Sequence, residues 1–212
     1  METARIPIFP LQLVLFPRIP LPLHIFEERY RAMTKHCMET PADFGVVCHD
    51  GNKIEGAGCS ARIHQVLREY DDGEVDILTV GEKRFRILKL YSEKPYLEAD
   101  VAYFDDDSGA ADEVDTLADS GVQTLTELAA AAGQDMDRTV IDSLPADELS
   151  FVLANIDTFS LKEKQRFLEI TSTKDRLDSC ITNLRETIRR LKAAGSLKDI
   201  LGDQDNLSNM MN

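Results

Sequence analysis

The spacing of hydrophobic positions changes once along the chain, near residue 104. Before that point, short apolar runs are separated by Pro, Gly or Asp, a pattern typical of β-strands joined by turns. After it, apolar residues recur every three or four positions, which is the period of an amphipathic helix. The pattern predicts an α+β fold with strands in the amino-terminal half and helices in the carboxy-terminal half.

The amino-terminal half, residues 1–104, is predicted to be a small closed or nearly closed β-barrel with one helix. Residues 5–25 contain apolar runs cut by prolines, which favour edge strands because proline lacks the N–H that a central strand uses. Residues 27–38 have apolar side chains at helical spacing and predict one amphipathic helix. Antiparallel strands are then predicted at 44–49, 61–70, 75–81, 84–91 and 96–104, with turns at Asp50-Gly51 and Asp72-Gly73.

Residues 105–195 are predicted to form a helical subdomain. A polar break at 105–109 precedes a helical pattern that ends at Gly133, because glycine adopts the left-handed conformation that closes many helices. Residues 134–144 show no clear period, so their structure stays open.

Three further helices are predicted after that stretch. Pro145 opens the first, since proline is tolerated in an initial helical turn, and Ser160 with Glu163 forms an S-x-x-E capping box at the start of the second. The third ends at Gly195 and is followed by a flexible polar tail, residues 196–212. Its apolar seam consists of Leu177, Ile181, Leu184, Ile188 and Leu191.

The composition is that of a globular protein of one or two domains. The 212 residues are 43% hydrophobic and 29% charged. The apolar opening cannot form a membrane-spanning helix because five prolines interrupt it. Four cysteines without a CxxC pair predict reduced, buried thiols and therefore a cytoplasmic protein.

The formal net charge of -14 is concentrated in one segment. Residues 105–160 carry 14 acidic side chains and a single basic one, Arg138. This segment is either a solvated helix face with its linker or an acidic docking site. Because an acidic surface repels phosphate backbones, the charge argues against nucleic acid as the primary partner.

No catalytic constellation is present in the sequence. The chain lacks the phosphate-binding motif G-x-x-x-x-G-K-[ST], the dinucleotide motif G-x-G-x-x-G and the nucleophile motif G-x-S-x-G. Its four histidines occur neither as H-E-x-x-H nor with cysteines at zinc-ligand spacing. Cys37 beside His36 is a poor nucleophile pair because adjacent helical side chains point in different directions. We predict no catalytic residue, no metal and no cofactor, and therefore a protein that is not an enzyme.

Several sequence blocks together resemble the Lon protease amino-terminal substrate-binding domain family. The longest is the opening PIFPLQLVLFPRIPLPLHIFEERYRAM. The others are FGVV at 44–47, DILTVGEKRFRI at 76–87, PYLEADV at 95–101 and EKQRFLE at 163–169, with RL at 176 and 177. The resemblance covers most of residues 5–192 and depends on the joint occurrence of these blocks.

The resemblance implies a fold and a function. The implied fold is a PUA-like β-barrel, of the pseudouridine-synthase and archaeosine-transglycosylase type, followed by a helical bundle, in a stand-alone form without the ATPase and protease domains of Lon. The implied function is non-catalytic binding of unfolded or tagged polypeptides, alone or as an adaptor to an ATP-dependent protease, since apolar grooves and exposed barrel edges suit extended peptides. The alternative is an RNA-associated PUA-like module, which rests on fold analogy alone.

The resemblance also singles out six residues in two segments. They are Glu27, Arg29 and Tyr30 in FEERY, and Gly81, Arg84 and Phe85 in GEKRF. In a structural interpretation the glycine permits a turn, the two aromatic residues fill the core, and the charged residues form ion pairs that fasten the helix to the barrel. In a functional interpretation the same residues form one wall of a peptide-binding groove.

Overall fold

The computed structural model describes residues 2–51, 53–107 and 111–209, with the side chains of 111, 112 and 195–209 excluded. Its strands are β1 (Thr3–Leu11), β2 (Pro20–Ile25), β3 (Phe44–His49), β4 (Ile54–Glu69), β5 (Val75–Tyr91) and β6 (Leu97–Tyr103). Its helices are α1 (Glu28–Glu39), α2 (Ala111–Ala131), α3 (Ala146–Ala154), α4 (Leu161–Glu169) and α5 (Thr173–Asn209), with a 3₁₀ turn at Ile141–Ser143. The predicted α+β class is confirmed.

The six strands form one mixed sheet. Their order is β2-β5-β4-β3-β1-β6, and β5 pairs with β6 as well. Strand β5 can pair with both β2 and β6 because it is long: its first half pairs with β2 and its second half with β6. The strands are predicted to be antiparallel, but β1 and β3 are parallel. A parallel pair needs a long crossover, and β2 with α1 provides it.

Gly81 lies inside β5, so the predicted turn at this glycine is wrong, and one continuous strand replaces two predicted ones. Its N–H donates to the carbonyl of Ile19 (3.0 Å), and its carbonyl accepts from the N–H of Arg18 (2.8 Å). A Cβ at this position would overlap the carbonyl oxygen of Phe16. Glycine is therefore needed for close approach of another backbone rather than for a turn.

Phe85 and Tyr30 occupy two separate hydrophobic clusters. Phe85 is fully buried, and a Cβ at Gly45 would lie only 2.6 Å from its ring. Its cluster contains Ile6, Ile8, Val47, Ala99 and Val101. Tyr30 is buried against Phe9, with ring centroids 4.1 Å apart, in the larger cluster that continues into the helices. Both aromatic residues are thus core residues.

Helices α2 and α3 pack against α5. Its predicted seam is buried from Leu177 to Ile188, while Leu191 is exposed. The predicted capping box is confirmed, with Ser160 Oγ accepting from the N–H of Glu163 (3.3 Å). The predicted end at Gly195 is wrong, because α5 continues to Asn209. An interior glycine weakens a helix by about 1 kcal/mol without forbidding it.

Two further predictions concern cysteines and membrane helices. All four cysteines are free and buried. Burial raises the pKa of the Cys37 thiol to about 11 and that of Cys180 to about 12, which keeps both protonated and unreactive. Within the described ranges, no helix combines the length and the apolar character needed to cross a membrane.

Candidate functional site

Arg84 belongs to a buried charged junction, defined by Arg84, Asp106 and Arg176, that joins the sheet to the helices. The two arginines are 3% and 0% exposed, and both donate to the carboxylate of Asp106. Arg84 Nη1 also donates to the carbonyls of Leu168 (3.0 Å) and Ile170 (2.6 Å), where α4 ends. Arg84 therefore fastens β5 to α4 and α5, and not to α1 as the structural interpretation proposed.

The charges of this junction are well partnered. Burial alone would raise the pKa of the Asp106 carboxyl, but hydrogen bonds from Arg176 and Thr173 and the charges of both arginines hold it below its ordinary value. The Phe151 ring lies 3.9 Å from Arg176 Cζ and 5.3 Å from Arg84 Cζ, where it stabilises the excess positive charge. These contacts favour a structural role for Arg84.

The FEERY residues form a local arrangement at the start of α1. Arg29 Nη2 lies 2.7 Å from Glu27 Oε2, and the Arg29 guanidinium covers the ring of Tyr30 at 4.5 Å. Both charged side chains are exposed, so this ion pair contributes at most about 1 kcal/mol. It joins neighbouring residues and does not fasten the helix to the sheet, which corrects that part of the structural interpretation.

A groove of about 640 Å³, here called the α1 groove, lies between α1 and the β4–β5 hairpin. None of the six predicted site residues is among its lining residues. Met38 and Thr34 line it from the helix, and Tyr70, Glu74 and Val75 line it from the hairpin. Thr34 is 1% exposed, and its Oγ1 has no hydrogen-bond partner in the described part of the chain. The groove thus combines apolar contacts with an unused hydroxyl.

The hairpin that forms one wall of the α1 groove is fixed to the helix. Arg31 Nη1 donates to the carbonyl of Asp72 (2.6 Å), and the side chain of Asp72 accepts from the N–H of Glu74 (3.1 Å). Gly73 has a positive φ of 85°, which confirms the predicted Asp-Gly turn. These bonds hold the two walls of the groove at a set separation.

A charged cluster borders the same groove. His24 Nδ1 lies 2.7 Å from Asp76 Oδ1, and His24 Nε2 lies 3.1 Å from Glu74 Oε2. The Tyr70 hydroxyl donates to Asp76 Oδ2 (2.8 Å). The hydrogen bond to Asp76 raises the pKa of His24, and the charge of Glu74 adds to it. A ring flanked by two carboxylates donates from both nitrogens, so the imidazolium form is favoured.

One exposed hydrophobic side chain lines the α1 groove, and two others belong to segments that lead into its walls. Met38 is 42% exposed and lines it. Phe26, 58% exposed, precedes α1 and stacks on His24 with ring centroids 5.9 Å apart. Leu67, 51% exposed, lies in β4 two residues before Glu69, another lining residue. Apolar side chains that line a groove, as Met38 does, are typical of binding sites.

The free strand edges are poorly suited to accept an added strand. The carbonyl of Ile19 accepts from β5, and the backbone groups of successive residues in a strand point to opposite edges. Pro20 and Pro22 therefore face the outer edge of β2, where neither has an N–H to donate to an added strand. Among the described residues, the second half of β4 pairs only with β5. The β4–β5 register shifts at His64 and Leu67. Such bulges also hinder strand addition. The groove is therefore a better peptide site than the edges.

Sequence reasoning missed the partners of Arg84 and the residues of the α1 groove. Asp106 belongs to the polar break at 105–109 that separates the predicted barrel from the predicted helices. Arg176 stands directly before Leu177, on the buried side of a helix, and a charged residue there was the available signal of a buried ion pair. No periodic signal distinguishes Met38 or Thr34, because a groove is made by two elements distant in sequence.

Comparison with known proteins adds a family and a fold. The family model of the ATP-dependent protease La (LON) substrate-binding domain matches residues 5–186. Lon protease 2 of Syntrophobacter fumaroxidans is 25% identical over 207 residues, and Lon protease of Anaeromyxobacter dehalogenans is 28% identical over 213 residues. Both alignments cover 92% of this chain, but 26% and 24% of the respective relative. The chain thus spans about a quarter of the length of the curated relatives it matches.

Two solved structures share the fold. The Lon N-terminal domain protein from Xanthomonas campestris has a TM-score of 0.66 and 22% identity, covering 84% of this chain and 98% of its own. The N-terminal domain of Lon protease from the Mycobacterium avium complex has a TM-score of 0.71 and 16% identity, covering 86% of this chain and 98% of its own. At these identities the likeness concerns the fold alone.

Proposed function

This chain belongs to the ATP-dependent protease La (LON) substrate-binding domain family, and on that premise we propose that it is a non-catalytic module that binds unfolded polypeptide in the α1 groove. The observation that carries the placement is the groove itself, which is lined by the exposed hydrophobic side chain of Met38. Methionine suits such a site because its flexible side chain adapts to varied partners. The Thr34 hydroxyl offers a hydrogen bond to a main-chain group of any sequence.

The finer features of the resemblance are part of the same proposal. We assign the sheet to the PUA-like barrel type. This assignment is supported by β6, which pairs with β5 as well as with β1, so that the strand order from β5 to β6 closes on itself. We also propose that the module works in the cytoplasm, beside an ATP-dependent protease that degrades the polypeptides it binds. Free, buried cysteines support the compartment, and the relatives named Lon protease support the partner.

The proposal is tested by fluorescence anisotropy with a labelled, reduced and carboxymethylated polypeptide. Full burial of a methionine side chain contributes about 1.5–3 kcal/mol. Burying the 42% of Met38 that is exposed therefore contributes about 0.6–1.3 kcal/mol to binding. Met38→Ala should therefore weaken binding about three- to ninefold. Leu88→Ala is the matched control, because Leu88 is 61% exposed in β5 and is not a lining residue of the groove.

The outcomes separate the proposal from its alternative. Equal weakening by Met38→Ala and Leu88→Ala, or none by either, would exclude the α1 groove as the site. Salt-sensitive binding of single-stranded RNA, in place of polypeptide, would instead favour the RNA-associated module.

A further inference from the structure

A second groove, here called the α4 groove, lies between α4 and the turn that joins β3 to β4. Its volume is about 510 Å³, and its lining includes Cys48, Glu55, Leu161, Gln165 and Glu169. The capping box at the start of α4 holds that wall in place. None of the six predicted site residues is among its lining residues.

The side chain of Gln165 contains an acceptor without a donor. Gln165 is 7% exposed, and its Nε2 donates to the carbonyl of Ala57 (3.1 Å) and to Glu169 Oε1 (2.8 Å). Its Oε1 is buried and has no hydrogen-bond partner among the described residues. Rotating the amide would place Oε1 against two other acceptors, so its orientation is fixed. Buried polar atoms rarely lack a partner, and this acceptor therefore suggests a ligand that donates a hydrogen bond.

The charges around the groove indicate a neutral ligand. Three acidic and three basic side chains line it: Asp50, Glu55, Glu169, Lys53, Lys162 and Arg166. A phosphate would require an excess of positive charge, and an ammonium group would require an excess of negative charge. Leu161 adds a partly exposed apolar surface beside Gln165. A neutral N–H next to an apolar side chain is what a polypeptide main chain presents.

We propose that the α4 groove is a second polypeptide subsite, in which Gln165 Oε1 accepts a main-chain N–H. This inference rests on the proposed function and extends it, because β4 reaches both grooves: Glu55 near its start lines the α4 groove, and Glu69 at its end lines the α1 groove. A main-chain contact is independent of side-chain identity, which suits a module that binds many sequences. An unfolded chain long enough to reach both grooves binds more tightly than one that occupies either alone.

The test is an NMR titration of the ¹⁵N-labelled protein with a blocked 12-residue peptide of zero net charge. A matched peptide has the same sequence with N-methylated main-chain amides, which removes its donors. The side-chain amide signals of Gln165 are identified by their loss in Gln165→Met. We expect these signals to shift with the first peptide, and affinity in the α4 groove to fall about two- to tenfold with the second, the range of one hydrogen bond.

The titration distinguishes failure of this inference from failure of the proposed function. Shifts confined to Thr34, Met38 and their neighbours would leave the α1 groove as the site and overturn the second subsite. Equal affinity of both peptides at Gln165 would also overturn it, because Oε1 would then be satisfied by water. Shifts in neither groove would overturn both proposals.

Discussion

Replacing Asp106 by asparagine removes the one negative charge between Arg84 and Arg176. Both arginines are almost completely buried, so neither regains full hydration when its counter-charge is lost. Removing one partner of a buried ion pair costs about 3–5 kcal/mol. We expect Asp106→Asn to lower the free energy of unfolding by about this amount.

The assay is equilibrium unfolding in urea, followed by far-ultraviolet circular dichroism. With a urea dependence of about 2.5 kcal/mol per M for a chain of this size, the midpoint should fall by about 1–2 M. Asp105→Asn is the matched control, because this neighbouring residue is exposed. Surface substitutions of that kind change stability by less than about 0.5 kcal/mol. A loss below about 1 kcal/mol for Asp106→Asn, or equal losses for both variants, would refute the reasoning.

The same residue predicts a dependence on pH. The pKa of Asp106 is lower in the folded protein than the ordinary value of 3.8, since two arginines stabilise its charged form. Its contribution to stability is therefore fully present above the ordinary pKa and is lost as the pH falls through the folded-state pKa. Wild-type stability should decrease over this acidic range more steeply than that of Asp106→Asn.

Three other predictions concern glycine packing, the core and the charged cluster. Gly81→Ala should lower the free energy of unfolding by about 1–3 kcal/mol, because the added methyl group meets another backbone. Gly56→Ala is the control, because its methyl group would meet open space. Equal melting temperatures for the two variants would contradict this prediction. Phe85→Ala should cost about 3–5 kcal/mol yet leave the folded protein with wild-type polypeptide affinity. Weaker binding by the folded variant would favour Phe85 as a groove wall. In an NMR titration, Asp76→Asn should lower the raised pKa of His24 toward its ordinary 6.5, and an unchanged value would count against the hydrogen bond as its cause. Stability from charged His24 is present below 6.5 and is lost as the pH rises through its folded-state pKa.

Local signals in the sequence were sufficient for many of the elements. Helix α1 and the capping box of α4 depend on residues within one or two helical turns, so spacing alone identifies them. The two Asp-Gly turns depend on a dipeptide for the same reason. Gly195 shows where such signals mislead, because a glycine that stops one helix is tolerated inside another.

The candidate site was less accessible from the sequence. Tyr30 and Phe85 are buried as aromatic residues in apolar patterns commonly are. The partner of Arg84 could not be inferred, because Asp106 becomes buried only where strand β5 meets the ends of α4 and α5. Met38 and Tyr70 likewise form one groove although 32 positions separate them in the chain.

The α+β class, most helices and strands, and the resemblance to a family could be predicted from the sequence, because periodicity, turn chemistry and motif blocks depend on consecutive residues. Three features emerge only from packing in three dimensions: the close backbone contact at Gly81, the link that Arg84 makes between sheet and helices, and the two grooves that border β4. The physical reason is that these features depend on which distant surfaces exclude water from each other, and that exclusion exists only once the chain has folded.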